Sequence, residues 1–431
     1  MPTTLITGAS LLGERAADIL VVDGVIREIG SLDAGSVKDA EVVEADGLVA
    51  LPALVDLHTH LREPGREDAE TIHTGSAAAA VGGYSAVFAM ANTQPVTDTP
   101  EKAEEVWRRG REVGLVDVVP VGAVTKGLAG EELSEMGLMA RSQAKVRVFS
   151  DDGRCVHDSR LMRRALEYST AFDGVISQHS QDPRLADATA CCHEGELSGR
   201  LGLPGWPDAA EEAIVARDVM LAKATRGRVH VAHVSTPGSL EVIRWAKARG
   251  VAVTAEVTPH HLALTTDLLA DYDTVYKVNP PLRPSEYAEE LRAALVDGTI
   301  DIVATDHAPH VSHDKDHAFA DAAFGMLGLE TALAVVSDLM VTTGRMTWAD
   351  VARVMSTTPA QIARLKGHGR PLAVGEPGNL VLVDPSRSLT VDRAASASLS
   401  RNNPWHGRTL TGAVRATLLR GRVTARDGAL A

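Results

Sequence analysis

"RVHVAHVSTPGSLEVIRWAKARGVAVTAEVTP", Arg228 to Pro259, holds two short apolar runs with a helical pattern between them. RVHVAHVS and VAVTAEVTP are rich in valine and lack a polar face, which suits strands covered on both sides. GSLEVIRWAKARG reads as an amphipathic helix. Strand, helix and strand in this order make a parallel unit, because parallel neighbours need a crossover between them.

The unit repeats along the chain. VALPALVDLH, YSAVFAM, VDVVPVGAV, KVRVFSDD, GVISQHS, RVHVAHVS, VAVTAEVTP and TIDIVATDH make eight such runs, separated by stretches such as WPDAAEEAIVARDVMLAKAT. Eight strand–helix repeats predict an α/β fold, a closed (β/α)8 barrel of the TIM type. The flanks differ. DILVVDGVIREIG and AEVVEADGLVALP alternate around Asp-Gly turns, and strands return in GNLVLVDPS and AVRATLLRGRVTARDG. Both chain ends are therefore β-rich, and we expect one small β-sandwich built from them. The expected division is 1–52, the N-terminal part of the sandwich; 53–364, the barrel; and 365–431, the C-terminal part of the sandwich.

Bulk properties narrow the function. A chain of 431 residues with 45% hydrophobic content can bury a large core. A net charge of −14 speaks against nucleic-acid and membrane-surface binding, so an anionic small-molecule substrate must meet local positive charge. Three cysteines, Cys155, Cys191 and Cys192, with no CxxC pair, describe neither a disulfide framework nor a thiolate zinc site. MPTTLITGAS lacks the pattern of a signal peptide, and no apolar run reaches membrane-spanning length. The expectation is a cytoplasmic protein.

A barrel of this kind carries its chemistry at the C-terminal ends of its strands. Polar residues gather there: His58-Thr59-His60 after strand one, Asp151-Asp152-Gly153 after four, His179 after five, His233 to Thr236 after six, Asp306-His307 after eight. Residues two apart on a strand point the same way, so His58 and His60 can share an ion. His230 and His233 are an odd number apart, so only His233, nearer the strand's end, is expected to face inward. Asp151 and Asp152 are adjacent, so one of them looks away. Taken singly, each has an ordinary reading as a packed histidine or a helix cap. Five strand ends on one rim favour a metal site, and imidazoles with carboxylates suit zinc.

DLHTHLREPG, MANTQP, VFSDDG, HVST, AEVTPHH, KVNPPLR and ATDHAPH, in that order, resemble the bacterial class I dihydroorotases of the amidohydrolase superfamily. The similarity runs through roughly residues 45 to 365. The resemblance implies two zinc ions per chain, one held by His58 and His60, the other by His179 and His233. Asp152 would bridge them, and Asp306 would be both ligand and catalytic base. Many related enzymes bridge their metals with a carboxylated lysine at the end of strand four, where this chain has VFSDDG, and its nearest lysine, Lys145, lies at that strand's start.

The implied reaction is reversible cyclisation of N-carbamoyl-L-aspartate to L-dihydroorotate in pyrimidine biosynthesis. A metal-activated hydroxide would attack the ring amide, and Asp306 would pass the proton to the ring nitrogen. Two divalent cations set against two carboxylates and a hydroxide leave a single positive charge to help hold an anionic substrate. Arg62, Asn92 and His310 would bind the substrate carboxylate, Arg62 bidentately, while Asn279 and the Phe324-Gly325 backbone would contact the ring.

Three stretches depart from the class I pattern: Met90-Ala91-Asn92-Thr93, His179-Ser180-Gln181-Asp182 and Ala323-Phe324-Gly325. The first and third bear on substrate affinity; the neutral Gln181 bears on the second metal. VSHDKDHAFADAA, residues 311 to 323, reads as a mobile loop at the mouth, with His313 and His317 solvated. His260 and His261 follow strand seven and could stand behind the ligands, whereas Cys191 and Cys192 read as packed thiols. Competing readings are another cyclic amidohydrolase, a hydantoinase or allantoinase, and a metal-free pseudoenzyme scaffold. Class I relatives can associate with aspartate transcarbamoylase, which makes their substrate, and a homo-oligomer fits the same reading.

Overall fold

The computed structural model describes residues 3–33, 35, 37 and 39–431. Eight strands follow one another: β1 (Leu54–Thr59), β2 (Tyr84–Ala89), β3 (Asp117–Pro120), β4 (Val148–Phe149), β5 (Val175–Gln178), β6 (Arg228–Val231), β7 (Val253–Val257) and β8 (Ile302–Val303). A helix comes after each: α1 (Ile72–Val81), α2 (Pro100–Val113), α3 (Met136–Arg141), α4 (Ser159–Ser169), α5 (Ala209–Thr225), α6 (Pro237–Lys247), α7 (Ser285–Asp297) and α8 (Ala332–Val336). All the strand pairings here are parallel, β1 to β3 in one sheet and β4 to β8 in another. Parallel bridges Gly122–Phe149 and Thr59–His307 join the sheets at both margins, so the order returns from β8 to β1.

The apolar runs form strands because both of their faces are covered. Every residue of β1, β2 and β5 is buried. Local signals start and stop the helices. The Thr236 hydroxyl accepts from the Ser239 N–H ahead of Pro237, so α6 begins with a cap and a preset φ. Gly114, at φ 63°, ends α2 in the left-handed region that glycine adopts without strain. Leu240, Ile243 and Ala246 of α6 join Val215, Val219 and Ala222 of α5 over Val229, Val231 and Val253 in one core. Each fully buried leucine or isoleucine there contributes about 1.5–3 kcal/mol.

Both chain ends build one nine-stranded sheet. Val49–Pro52 pairs antiparallel with Leu380–Thr390, which splices the N-terminal strands to the C-terminal ones. The first Asp-Gly turn makes a hairpin between Arg15–Val22 and Val25–Gly30, with Asp23 and Gly24 both at positive φ. The second does not. Glu41–Glu44 and Val49–Pro52 each run parallel to Thr3–Leu11 instead of pairing with each other. Ile6, Ile19, Val21, Leu380, Leu382 and Leu418 form this sheet's own core.

Two segments differ from their sequence reading. Residues 311–323 are not all loop: Ser312–Lys315 is a helical turn, and Lys315 and Phe319 are buried, while Ser312, His313 and residues 316–318, 320 and 321 are exposed. Beyond Leu380–Thr390 the chain leaves the terminal sheet, buries Trp405, and brings Asn402 to the end of β8 before strand Thr409–Leu419 begins. Among the described residues, no helix is long and apolar enough to cross a membrane.

Candidate active site

The ends of the parallel strands carry a buried cluster of imidazoles and carboxylates. His58 Nε2 lies 3.2 Å from Asp152 Oδ1 and 3.5 Å from Asp306 Oδ1. His60 Nε2 lies 3.3 Å from Asp152 Oδ2 and 3.2 Å from Asp306 Oδ1. His179 Nδ1 and His233 Nε2 are 3.7 and 3.6 Å from Asp152 Oδ1. All six residues that the sequence singles out as ligands thus meet, and each is buried.

Local structure explains who faces inward. Asp151 turns away and accepts from the Val124 and Thr125 N–H groups, which leaves Asp152 to the cluster. His307 turns away likewise, its Nδ1 accepting from the Gly328 N–H at 3.2 Å. Asp56 ties the rim together: it accepts from the hydroxyls of Thr59 and Thr305 at 2.5 Å each, and from the Thr305 N–H at 2.8 Å. Arg62, His233 and Asp306 sit at φ 61°, 29° and 47°, a left-handed conformation that costs each about 1–3 kcal/mol. Strain of this kind at three neighbouring positions is the mark of a functional site.

The positive φ at His233 overturns the parity expectation for His230. Strand β6 ends at Val231, and the turn at His233 resets the alternation. Both histidines reach one residue that the sequence reading passed over, Glu256 on β7. Glu256 accepts from His58 Nδ1 at 2.7 Å, from His230 Nε2 at 2.9 Å and from the His233 N–H at 3.2 Å. A glutamate inside the apolar run VAVTAEVTP was the available signal.

Outer hydrogen bonds fix the tautomers of the cluster. His58 gives its Nδ1 proton to Glu256, and His60 gives its own to Asn92 Oδ1 at 2.9 Å. His179 donates from Nε2 to Gln181 Oε1 at 3.0 Å, and His233 donates from Nε2 to His179 Nδ1 at 2.9 Å. Bare lone pairs remain on His58 Nε2 and His60 Nε2, which face two carboxylates, and on His233 Nδ1. Negative ends meet negative ends. His58 Nε2, Asp152 Oδ1 and His233 Nδ1 are buried without a hydrogen-bond partner. Each such orphan costs roughly 1–3 kcal/mol, which a cation removes.

The electrostatics agree. Burial opposes charge on His58, yet Asp152, Asp306 and Glu256 raise its affinity for a proton well above normal. Burial would neutralise Asp306, but His58, His60 and His233 hold it below the usual carboxylate range. Two ligand sets have donor atoms within 4.8 Å of one another: His58, Asp152 and His233, and His58, His60 and Asp306. The donor set fits a divalent metal.

Beside the cluster opens a cavity of about 250 Å³ lined by Arg62, Asn92, Asn279, His310, Phe324 and Gly325. These are the six residues expected to contact substrate. Arg62 donates from Nε to the Pro309 carbonyl at 3.0 Å, and its Nη2 lies 3.2 Å from His310 Nε2. Burial pushes its guanidinium down to about 10, so it stays charged at neutral pH. His310 Nε2 sits 2.7 Å from the Phe324 carbonyl, which assigns its proton to that nitrogen. Burial, then Arg62 and Lys315, drive His310 down to about 3, so it acts as a neutral donor. Asn279 donates to Gln181 Oε1 at 3.2 Å, and its own Oδ1 is buried without a partner. Gln181 therefore links a histidine of the cluster to a wall of the cavity. Asn402, another residue the sequence reading missed, holds the Ala308 and Gly325 carbonyls and the His310 N–H. Its distance along the chain left no signal.

His260 Nε2 is buried without a partner, whereas His261 is held by Thr258 and the Pro280 carbonyl. His313 is exposed, as expected, and Cys191 and Cys192 are buried free thiols.

Comparisons with known proteins agree with this geometry. Residues 47–239 match the dihydro-orotase-like family model, and residues 210–424 match the amidohydrolase family model. The chain is 58% identical over 430 residues to the dihydroorotase of Streptomyces coelicolor, covering 100% of both chains. It is 58% identical over 427 residues to the dihydroorotase of Mycobacterium tuberculosis, covering 99% of each. Among solved structures, L-hydantoinase (dihydropyrimidinase) from Arthrobacter aurescens superposes with a TM-score of 0.86 at 26% identity, over 100% of this chain and 98% of that one. Dihydropyrimidinase from Brevibacillus agri gives 0.85 at 21% identity, over 99% and 96%, a likeness of fold. On full-length identity and on the residues gathered at this rim, the chain belongs to the dihydroorotase family within the amidohydrolases.

Proposed function

We propose that the chain is a dihydroorotase, a hydrolase of a cyclic amide that interconverts L-dihydroorotate and N-carbamoyl-L-aspartate. One observation carries this reading: a half-buried guanidinium with no carboxylate bonded to it among the described residues, Arg62, lines one cavity with His60, His179, Asp152 and Asp306 of the cluster. We take the eight parallel strands as one closed (β/α)8 barrel over residues 53–364. Residues 1–52 and 365–431 then supply the strands of a small flanking β-domain, one nine-stranded sheet that we read as folded on itself into a sandwich. Barrel chemistry belongs at the C-terminal rim, where the cluster lies.

His58, His60 and Asp306 would hold one divalent cation and His179 and His233 a second, with Asp152 between the two; imidazole and carboxylate donors suit zinc. The chemistry such a cation would supply is a bound water with its pKa lowered from about 15.7 to about 7 and a polarised amide carbonyl. In ring opening, the Asp306 carboxylate accepts a proton from the attacking water and delivers it to the ring nitrogen as the C–N bond breaks. In ring closure it takes that proton from the carbamoyl nitrogen and returns it to the departing oxygen. Arg62 binds the substrate's free carboxylate through two parallel N–H groups, which orients the ring as well as neutralising its charge. The Pro309 carbonyl braces Arg62, Asn92 and His310 would bind the same carboxylate, and Asn279 and the Phe324–Gly325 backbone frame the ring.

Gly325 tests the framing. Its φ is +139°, and a Cβ there would come within 2.7 Å of Ala308 Cβ and 3.0 Å of His310 Nε2. Gly325→Ala should raise KM for dihydroorotate roughly tenfold or more through displacement of His310. Steady-state kinetics of a variant with unchanged circular dichroism checks this.

The whole reading is tested by assaying ring opening of dihydroorotate and of hydantoin before and after treatment with a chelator. Turnover of dihydroorotate that the chelator removes and zinc restores is the expected result. Faster turnover of hydantoin would replace this reading with that of a hydantoinase.

A further inference from the structure

Glu256 joins two halves of the cluster that the ligand assignment keeps apart. Its Oε1 accepts both the His58 Nδ1 proton at 2.7 Å and the His233 backbone N–H at 3.2 Å. Its Oε2 accepts from His230 Nε2 at 2.9 Å, and His230 is steadied from behind by Thr254 Oγ1 at 2.8 Å. The side chain is 1% exposed. Among the described residues no lysine or arginine pairs with it; every one of its hydrogen bonds goes to a histidine side chain or to the His233 peptide.

A carboxyl group buried inside a valine-rich strand layer is a costly way to fill space, and an apolar residue of similar volume often serves stability as well or better. The bonds of Glu256 do something packing cannot. One fixes the His58 proton on Nδ1 and so turns the Nε2 lone pair into the cluster. Another pins the peptide of His233 in the left-handed conformation, φ 29°, that swings its ring to the rim. We propose that Glu256 is a positioning residue that presets both cation-binding halves at once, so that a single substitution weakens both. This inference rests on the reading that the six-residue cluster binds two cations.

The test is titration of zinc into metal-stripped full-length protein, followed by calorimetry and by metal content per chain. Glu256→Met removes both acceptors at similar bulk and should weaken each of two zinc sites about 10–100-fold, the usual scale for a group that orients a metal-binding histidine. Glu256→Gln keeps an acceptor oxygen for the same two donors and should recover most of that loss. In metal-free protein, brought to a pH high enough that the His58 ring is neutral, its nitrogen NMR shifts should report a Nδ1-protonated ring in the wild type and a mixture of tautomers in Glu256→Met. Should Glu256→Met fail to fold, Glu256→Asp, which withdraws the charge by one methylene, replaces it with the same expectation. Weakening confined to one site, or an unchanged His58 tautomer, overturns the proposal. Wild-type protein that binds no zinc overturns the cation reading on which it stands.

Discussion

Asp306→Ala is expected to lower turnover of dihydroorotate by about 10³- to 10⁴-fold while the protein stays folded, the scale of a lost proton-transfer group. The carboxylate stands 3.2 Å from His60 Nε2 and 3.5 Å from His58 Nε2 at the edge of the substrate cavity, and His58, His60 and His233 keep it ionised against its burial. The fold does not need this group, because Asp56 and Thr305 carry the bonds that close the rim beneath it. Since residue 306 sits at φ 47°, alanine adds backbone strain of its own. Asp306→Asn separates the two effects: asparagine tolerates that conformation and cannot take a proton, so it should be as inactive as alanine and more stable. Single-turnover assays with melting curves on both variants check this, and half the wild-type rate in either would remove Asp306 from the role of base.

Arg62→Ala should act on binding rather than on chemistry. Removing one partner of a buried, hydrogen-bonded charge pair costs several kcal/mol; roughly 3 kcal/mol corresponds to about 100-fold in KM. We expect kcat to fall less than about tenfold, since Arg62 is assigned to the carboxylate that does not react. Arg62→Lys should recover little, because an ammonium lacks the planar fork that reads a carboxylate. The chain's net charge of −14 makes this local cation more important, for nothing global attracts an anion. Initial-rate kinetics at varied dihydroorotate would contradict the assignment if KM stayed put while kcat collapsed.

Much of this was legible in the sequence, for physical reasons. Strands buried on both faces read as runs of valine and isoleucine, so β5, β6 and β7 stand out, and a histidine or aspartate at the end of such a run draws notice. Periodicity fails where the chain stops being periodic. At His233 the backbone leaves the strand for a left-handed conformation, and counting odd and even positions then misplaces His230. Glu256 shows as a lone acid inside an apolar run, but its partners are remote in sequence, so nothing local reveals what it holds. Asn402 is remote as well, 92 residues from the His310 N–H that it accepts. Residues 311–323 look like a polar loop, but Lys315 is buried with its ammonium on the Lys277 and Ala323 carbonyls. Composition cannot see a cation satisfied by backbone. The second Asp-Gly turn misleads for a similar reason: the strands flanking it each found a better partner in Thr3–Leu11.

The central claim is that histidine lone pairs and two carboxylates, turned toward one another by outer hydrogen bonds, hold metal. Anomalous X-ray scattering at the zinc edge from crystals of the zinc-loaded protein tests it most directly. The account predicts two strong peaks inside the cluster, each about 2.0–2.2 Å from nitrogen or oxygen atoms of His58, His60, Asp152, His179, His233 and Asp306. Absence of any peak among these six side chains, or peaks only at other sites, would contradict it.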